Sequence, residues 1–221
     1  MSAETTARPS LTLHRRFWAT AYARLRSAAP LRILEVGCGR GESLALLLKR
    51  KIEAFGFDLG AAAGQLLAPK NHFAFGSLSS AMSYPQHHFD LIVVRPTPSF
   101  RGELATAEHY VATANLLSCV KPLGRLMIVE PAEGRDGIAV AEWIDRWQKH
   151  LHAFTAERVR GRYRDGLGWW LSLSFLGKAS PLDLETITLT VPEQPVSRLE
   201  WHRQARAAVM PRTKNARHRA A

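Results

Sequence analysis

The sequence predicts an α/β fold with one open, mostly parallel β-sheet and helices on both of its faces. Two observations lead to this fold class. Short apolar segments typical of buried strands alternate with segments whose apolar residues recur at helical spacing. The alternation then breaks, and two strand-like segments, 156–163 and 169–177, are separated by the turn sequence RDGLG. A short turn of this kind is typical of a hairpin, so we expect an antiparallel pair to close the sheet.

Five strands are predicted for the parallel part of the sheet. The first, LRILEV at 31–36, is a continuous run of branched apolar side chains, as in a strand buried on both faces. Four more strand-like segments follow it along the chain: EAFGFD (53–58), HFAFGS (72–77), FDLIVVR (89–95) and RLMIVE (125–130). The segment LETITLTV (184–191) alternates apolar and polar residues, and it is a candidate for an additional strand.

Helices are predicted in the connections between these strands. Residues 42–51 carry leucines at helical spacing, and residues 103–120 form a longer helix that the sequence KPLG closes. A short helix near 61–67 ends before Pro69, and a further helix carries Ile144, Trp147 and Leu151 on one face. Connections that alternate with strands in this way favour crossovers on both faces of a parallel sheet.

The positive charge of the chain is concentrated at its two ends. The 221 residues have a formal net charge of +11. Residues 31–191 hold 18 Lys and Arg against 16 Asp and Glu, whereas residues 1–30 have a net charge of +4 and residues 192–221 one of +5. The central body is therefore close to neutral. The basic ends are interpreted either as solvated segments or as anchors for nucleic acid.

One domain is predicted at residues 31–191, preceded by an N-terminal helix or lid at 1–30 and followed by a basic C-terminal tail at 192–221. The first segment is interpreted as a docked amphipathic helix, with an Arg-rich targeting peptide as the alternative. The two cysteines, Cys38 and Cys119, form no disulfide framework, which favours a reducing cytoplasm. No apolar run is long enough to cross a bilayer, so no membrane partner is expected.

A glycine-rich loop follows the first predicted strand in the sequence EVGCGRG, with Gly37, Gly39 and Gly41 at alternate positions. In open α/β sheets, ligands bind beyond the carboxyl ends of the strands. The spacing differs from the dinucleotide fingerprint, and no Gly-Lys-Ser/Thr follows as in a phosphate-binding loop. The flanking Glu35 and Glu42 would repel a diphosphate. The loop therefore favours a cationic nucleoside as its ligand and disfavours an NAD-dependent dehydrogenase.

The spacing in EVGCGRG resembles motif I of class I S-adenosylmethionine-dependent methyltransferases. Asp58 at the end of the second strand, the segment 75–94 and the segment VKPLGRLMIVEP (120–131) are similar to later motifs of that family, in the same order. The resemblance covers about residues 31–177. It implies a Rossmann-like three-layer sandwich with a seven-stranded, mostly parallel sheet and an antiparallel closing hairpin. It also implies S-adenosyl-L-methionine as the cofactor.

The resemblance implies a set of cofactor-binding residues at the carboxyl ends of the strands: Glu35, Gly37, Cys38, Gly39, Gly41, Asp58, Leu59, Ser77, Leu78 and Arg95. Asp58 would bind the ribose hydroxyls, with a helix N-cap as its alternative or additional role. Ser77 stands where the family commonly has an Asp that contacts the adenine amino group, and Leu78 would supply a backbone NH. A turn or capping role is the alternative for Ser77.

Residues 95–103, RPTPSFRGE, would line the acceptor side, because they follow the fourth strand. They lack the Asn/Asp-Pro-Pro-aromatic sequence of methyltransferases that act on amino groups of bases or amides, which disfavours that reaction. Arg95 would bind an anionic acceptor or the cofactor carboxylate, unless it is salt-bridged or solvated. No catalytic base or metal set is identified, and His87-His88 precedes the fourth strand, at the end opposite the cofactor.

The resulting hypothesis is a methyltransferase that acts on a small-molecule acceptor. Two alternatives remain at the level of the sequence. One is an RNA- or ribosome-directed methyltransferase that uses its basic ends, and the other is a non-catalytic binding or assembly protein that retains the fold. The oligomeric state is not indicated by the sequence.

Overall fold

The computed structural model describes residues 31–60, 66–80, 82–94, 107–131, 155–163 and 182–209. These residues form a sheet of seven strands: β1 (Arg32–Val36), β2 (Glu53–Asp58), β3 (Phe73–Phe75), β4 (Phe89–Val94), β5 (Val120–Pro131), β6 (Thr155–Tyr163) and β7 (Leu182–Thr190). Three α-helices are described: α1 (Glu42–Lys49), α2 (Ala107–Cys119) and α3 (Arg198–Val209), and a single 3₁₀ turn spans Lys70–His72.

The strands lie in the order β3-β2-β1-β4-β5-β7-β6. The first five are parallel, and β7 is antiparallel to both of its neighbours, β5 and β6. The predicted fold class is therefore confirmed, with seven strands and an antiparallel closing pair. The order reverses between β1 and β4, so the carboxyl ends of these two strands flank the switch point at which ligands bind in such sheets.

The described partner of β6 is β7. Residues 155–163 pair with residues 182–190, from Thr155 opposite Thr190 to Tyr163 opposite Leu182. The candidate strand at 184–191 is therefore confirmed, and Ile187 and Leu189, which are fully buried against the core, fix β7 in the sheet. The predicted pairing of 156–163 with 169–177 stays a prediction, because residues 169–177 lie outside the described residues.

Alternate side chains of the parallel strands enter two cores on opposite faces of the sheet, as the period of two in a strand requires. One core lies under α1 and contains Ile33, Leu44, Leu47, Ala54, Leu91, Val93 and Met127. The other lies under α2 and α3 and contains Leu34, Val36, Phe57, Ile92, Val94, Leu117, Leu126, Ile128 and Trp201. The described elements therefore form the three layers that were predicted.

The sequence KPLG lies inside β5, although it was predicted to be the turn between a helix and a strand. The pairing of β4 with β5 shifts between Phe89, opposite Val120, and Leu91, opposite Arg125, so residues 121–124 bulge from the ladder. Leu123 takes a left-handed φ of 61° there. Pro122 has no N–H to donate to the neighbouring strand, and its position in the bulge removes the need for that hydrogen bond.

Helix α3 lies within the segment predicted to be a basic tail. Trp201 is fully buried and Ala205, one turn later, is 1% exposed, and both belong to the core under α2. The charge count of 192–221 concealed this apolar pair at i and i+4. Residues 198–209 are thus part of the folded body. The predicted helices at 1–30 and around Trp147, and residues 210–221, lie outside the described residues, as does most of the predicted helix near 61–67.

Candidate functional site

The loop after β1 contains three glycines with left-handed backbones, with φ of 74° at Gly37, 54° at Gly39 and 79° at Gly41. Such angles are strained for other L-residues and ordinary for glycine. The loop is closed by a hydrogen bond from the Gly41 N–H to the Cys38 carbonyl (2.9 Å) and is tied to β2 by one from the Gly37 N–H to the Phe57 carbonyl (2.8 Å). Gly41 is the N-cap residue of α1.

Two of these glycines are required for different reasons. A Cβ on Gly41 would lie 2.4 Å from Phe73 Cζ, so this glycine allows the loop to pack against β3. A Cβ on Gly39 would meet no atom within 4 Å among the described residues. The backbone of Gly39 therefore faces open space, where a bound molecule can approach it closely.

Asp58, at the carboxyl end of β2, is joined directly to this loop. Its Oδ2 accepts a hydrogen bond from the Gly39 N–H (2.8 Å), and its Oδ1 accepts a longer one from the Gly60 N–H (3.4 Å). A carboxylate has about four acceptor positions, so Asp58 retains capacity for further donors. The structure thus brings together the predicted glycines and the predicted acid, and the bond between Asp58 and Gly39 was not foreseen.

Two predicted site residues in this region are buried. The Glu35 side chain is 1% exposed at the end of β1. The Cys38 thiol is 3% exposed and packs in the core under α1, where a Cβ on Gly56 would lie 2.6 Å from Cys38 Sγ. Cys38 is therefore almost fully buried, and its predicted role in cofactor binding stays a prediction.

The segment after β3 forms a turn, which we call the Ser77–Ser80 turn. The Gly76 N–H donates to the Asp58 carbonyl (3.0 Å), so the turn begins beside β2. The Ser80 N–H donates to the Ser77 carbonyl (3.1 Å), and the Ser79 N–H donates to Ser77 Oγ (3.3 Å). Ser77 thus has the turn role that was its predicted alternative, and a cofactor contact of Ser77 stays a prediction.

Two residues that the sequence did not indicate hold this turn. Asn115 on α2 donates from Nδ2 to the carbonyls of Leu78 (2.7 Å) and Ser80 (2.9 Å). His202 on α3 in turn donates from Nε2 to Asn115 Oδ1 (2.8 Å). A single amide within the apolar sequence VATANLLSCV was the available signal, because a buried polar side chain requires partners.

Exposed apolar side chains lie beside Asp58 at the same edge. Leu59, a predicted site residue, is 62% exposed and Phe75 is 42% exposed. The Phe75 ring stacks on Phe73 with 6.1 Å between centroids and 4° between planes, and a Cβ on Gly60 would lie 3.7 Å from it. Phe75 was not predicted as a site residue. A flat apolar surface beside a carboxylate is suited to a base attached to a sugar.

The opposite edge of the sheet is made of charged pairs. His88 precedes β4 there, as predicted, and its Nδ1 accepts a hydrogen bond from Arg32 (3.2 Å). Burial and the nearby Arg32 guanidinium lower the pKa of His88. Arg95 and the acceptor-side residues 95–103 lie outside the described residues. Within the part of the chain that the structure describes, no group of three His, Cys, Asp or Glu is placed to hold a metal, and no helix is long and apolar enough to span a membrane.

Comparison with protein families identifies the chain. A family model described as "Methyltransferase domain" matches residues 11–176, about three quarters of the sequence. The chain therefore belongs to this methyltransferase family. Family and fold together place it among the class I S-adenosylmethionine-dependent methyltransferases, which confirms the predicted resemblance, and S-adenosylmethionine is the methyl donor of that class.

Solved structures agree with this assignment at the level of the fold. The N-methyltransferase NodS from Bradyrhizobium japonicum is 16% identical, with 83% of this chain and 99% of that chain covered and a TM-score of 0.54. A methyltransferase from Archaeoglobus fulgidus is 15% identical over 81% and 93%, with a TM-score of 0.53. One from Mesorhizobium loti is 15% identical over 78% and 96%, with a TM-score of 0.52. Comparison with curated proteins gave no match.

Proposed function

We propose that the chain transfers the methyl group of S-adenosylmethionine to a small-molecule acceptor, and that the carboxyl edge of the sheet binds this cofactor. The observation that carries the proposal is the junction of Asp58 with the glycine loop. A carboxylate with remaining acceptor capacity lies 2.8 Å from the Gly39 N–H, whose α-carbon faces open space. A ribose offers two adjacent hydroxyl donors, which match such a carboxylate.

The other residues at this edge fit the rest of the same molecule. Leu59 and Phe75 are apolar and exposed beside Asp58, where they would contact the base. The left-handed glycines have no Cβ, so the rest of the nucleoside can approach the loop backbone closely, as in other nucleotide-binding loops. Glu35 and Glu42 place negative charge around the loop, which favours a cationic ligand over a diphosphate. The fit thus rests on charge, shape and hydrogen-bonding capacity together.

The chemistry required of the chain is mainly positioning. The bound cofactor supplies a methyl group that its sulfonium already activates. The chain must then hold the acceptor in line and exclude water, and proximity of this kind accounts for much of the rate in two-substrate reactions. We assign no catalytic base, and Arg95 is retained as a proposed contact to the cofactor or to an anionic acceptor.

The distribution of cations favours a small acceptor over RNA. The body at 31–191 is close to neutral, and the C-terminal segment 192–221 has seven Lys and Arg. Arg198 is engaged inside the fold, where it donates to the Tyr84 carbonyl and Ser118 Oγ (both 3.0 Å). Arg203 is paired with Glu200 at 2.7 Å. Two of the seven are therefore already committed to contacts within the chain.

Calorimetric titration with S-adenosylmethionine tests the cofactor site. Asp58→Ala removes the carboxylate that bonds the loop, and we expect the Kd to rise by more than about tenfold. Glu53→Gln is the matched control, because it changes an acid at the other end of the same strand, and its Kd should equal that of the wild type. Absence of binding to the wild type, or equal Kd values for both variants, would contradict the proposed site.

A second experiment tests the acceptor class. The protein is incubated with a cell extract and S-adenosylmethionine that carries a radiolabelled methyl group, and the label is then divided between small molecules and precipitated RNA. We expect label among the small molecules. Removal of residues 210–221 leaves α3 in place and should not change this result. Label in RNA that this truncation abolishes would instead support the RNA-directed alternative.

A further inference from the structure

We propose that α3 sets the selectivity for the adenine base through a hydrogen-bond chain from His202 to Asn115 to the Ser77–Ser80 turn. Asn115 and His202 are then positioning residues, since both act through the turn and neither is assigned a contact to the ligand. The inference rests on the proposed function, in which this turn lies on the base side of the cofactor.

The orientation of the Asn115 amide follows from its partners. Asn115 is 2% exposed, and two of its contacts are backbone carbonyls, of Leu78 at 2.7 Å and Ser80 at 2.9 Å. A carbonyl only accepts, so the amide nitrogen must face both of them. The amide oxygen then faces His202 Nε2 at 2.8 Å, and this nitrogen must carry a hydrogen. The three groups therefore form a chain with a single direction of donation.

The first member of the chain is held firmly because α3 is anchored on both sides of His202. Trp201 and Ala205 are buried in the core under α2. Arg198 donates to Ser118 Oγ and to the Tyr84 carbonyl, and its backbone N–H donates to Gln86 Oε1 (2.8 Å). A hydrogen bond from such a helix restricts Asn115 to one rotamer, at little further cost in side-chain entropy.

The last member of the chain is the turn that carries Ser77 and Leu78. Bonds to the Leu78 and Ser80 carbonyls orient two planar peptide groups of the turn, the one between Leu78 and Ser79 and the one that follows Ser80. Ser77 Oγ also lies 2.8 Å from Ser79 Oγ, so a rotation of these peptides would displace the groups predicted to face the base. Loss of the His202 bond would leave Asn115 free to turn away, and the turn would then read the base less strictly.

The test compares binding of S-adenosylhomocysteine with binding of its deaminated analogue, in which a carbonyl replaces the adenine amino group. Calorimetry gives the ratio of the two Kd values for each variant. We expect the wild type to prefer S-adenosylhomocysteine by about tenfold or more. His202→Leu removes the donor and should lower this ratio at least threefold, by about 0.7 kcal/mol of discrimination. His202→Gln can donate to Asn115 Oδ1 and should restore most of it.

Arg203→Gln is the matched control on the same helix, since Arg203 is exposed and contacts Glu200; its ratio should equal that of the wild type. An unchanged ratio in His202→Leu, or a wild type that binds both ligands equally, overturns the inference while the proposed cofactor site stands. A wild type that binds neither ligand overturns the proposed function instead. If His202→Leu does not fold, His202→Ser, which lacks the bulk and the reach to Asn115, must show the same loss.

Discussion

The two edges of the sheet are built in opposite ways. At the amino edge, Arg32 pairs with Glu53 at 2.8 Å, and Lys121 pairs with Asp90 at 2.9 Å. The Arg32 N–H also donates to Asp90 Oδ2 (2.8 Å), so side chains and backbone satisfy one another. At the carboxyl edge, the chain presents left-handed glycines and exposed apolar side chains instead.

The amino edge satisfies its polar groups within the chain, whereas the carboxyl edge is the proposed cofactor site. Groups at the amino edge have partners within the chain, which is the arrangement of a structural network. Groups at the carboxyl edge include the α-carbon of Gly39, which faces open space, and the exposed apolar side chains of Leu59 and Phe75. Exposure of apolar surface to water is unfavourable, so a ligand that covers Leu59 and Phe75 gains binding free energy from the hydrophobic effect. Substitutions at the two edges should therefore separate stability from affinity.

The largest effect is expected for Gly41→Ala. The new Cβ combines a left-handed backbone with a clash against the Phe73 ring, and we expect a loss of about 3 kcal/mol in the free energy of unfolding, measured by urea denaturation. Gly39→Ala is the comparison variant. Its backbone strain costs about 1 kcal/mol, but its Cβ enters the open space, so calorimetry should show the cofactor Kd rising by more than about tenfold. Equal stability losses in the two variants would contradict this account.

At the amino edge, Asp90→Ala should lower the stability and leave the cofactor affinity unchanged, in contrast to Gly39→Ala. It removes a carboxylate that accepts from Lys121 and from the Arg32 backbone, and we expect a loss of about 2 kcal/mol in the free energy of unfolding. The Kd for S-adenosylmethionine of the folded variant should not change. A weakened affinity at this distance from the proposed site would show that the two edges are coupled through the sheet.

A smaller effect is expected for Leu59→Ser at the carboxyl edge. Leu59 is exposed, so its replacement should leave the unfolding midpoint unchanged, whereas loss of apolar cover for the base should raise the cofactor Kd by about fivefold. Leu199→Ser, on α3 and 80% exposed, is the matched control for an exposed leucine. Both variants should behave as the wild type in stability, and only the first should bind the cofactor more weakly.

The smallest expected effect is the contribution of His88, at the amino edge, to the pH dependence of stability. Burial, followed by Arg32, lowers the pKa of His88 below the 6.5 of an unperturbed histidine. The unfolded chain then takes up the proton first as the pH falls. Stability is complete above about pH 6.5 and declines as the pH drops through that value. The fall in the urea midpoint from about pH 7.5 to about pH 5.5 should be smaller in His88→Gln, and an unchanged fall would exclude His88 as a contributor.

The parts of this molecule that could be predicted from sequence are those that local pattern determines. Strands β1 and β4 are mostly apolar and lie within one position of their predicted bounds, because both of their faces are buried. Strand β2 has the predicted bounds, 53–58. The neighbourhood of Gly39 and Asp58 follows from a topological rule, since the carboxyl ends of adjacent parallel strands share an edge. The predicted contacts of these residues to a cofactor stay predictions.

What could not be predicted depends on contacts between distant segments. The hydrogen bond from His202 to Asn115 joins residues 87 positions apart, and neither residue has a distinctive local pattern. The pairing of β6 with β7 likewise joins segments that are separate in sequence, from Thr155 opposite Thr190 to Tyr163 opposite Leu182, and β7 is held there by the burial of Ile187 and Leu189. The sequence of α2 did indicate that a further element packs against it. A helix that is apolar on nearly all sides is buried both against the sheet and on the side away from the sheet, where α3 lies.

The position of α3 at the end of the described chain has a consequence for synthesis. Asn115 leaves the ribosome 87 residues before His202, and at ordinary elongation rates this delay is on the order of ten seconds. Throughout that interval the side of α2 that carries Asn115 and Ser118 is without the cover of Trp201. The nascent protein therefore acquires its complete hydrophobic core only when the last described helix has been translated, and chaperone contact during that interval would fall on α2.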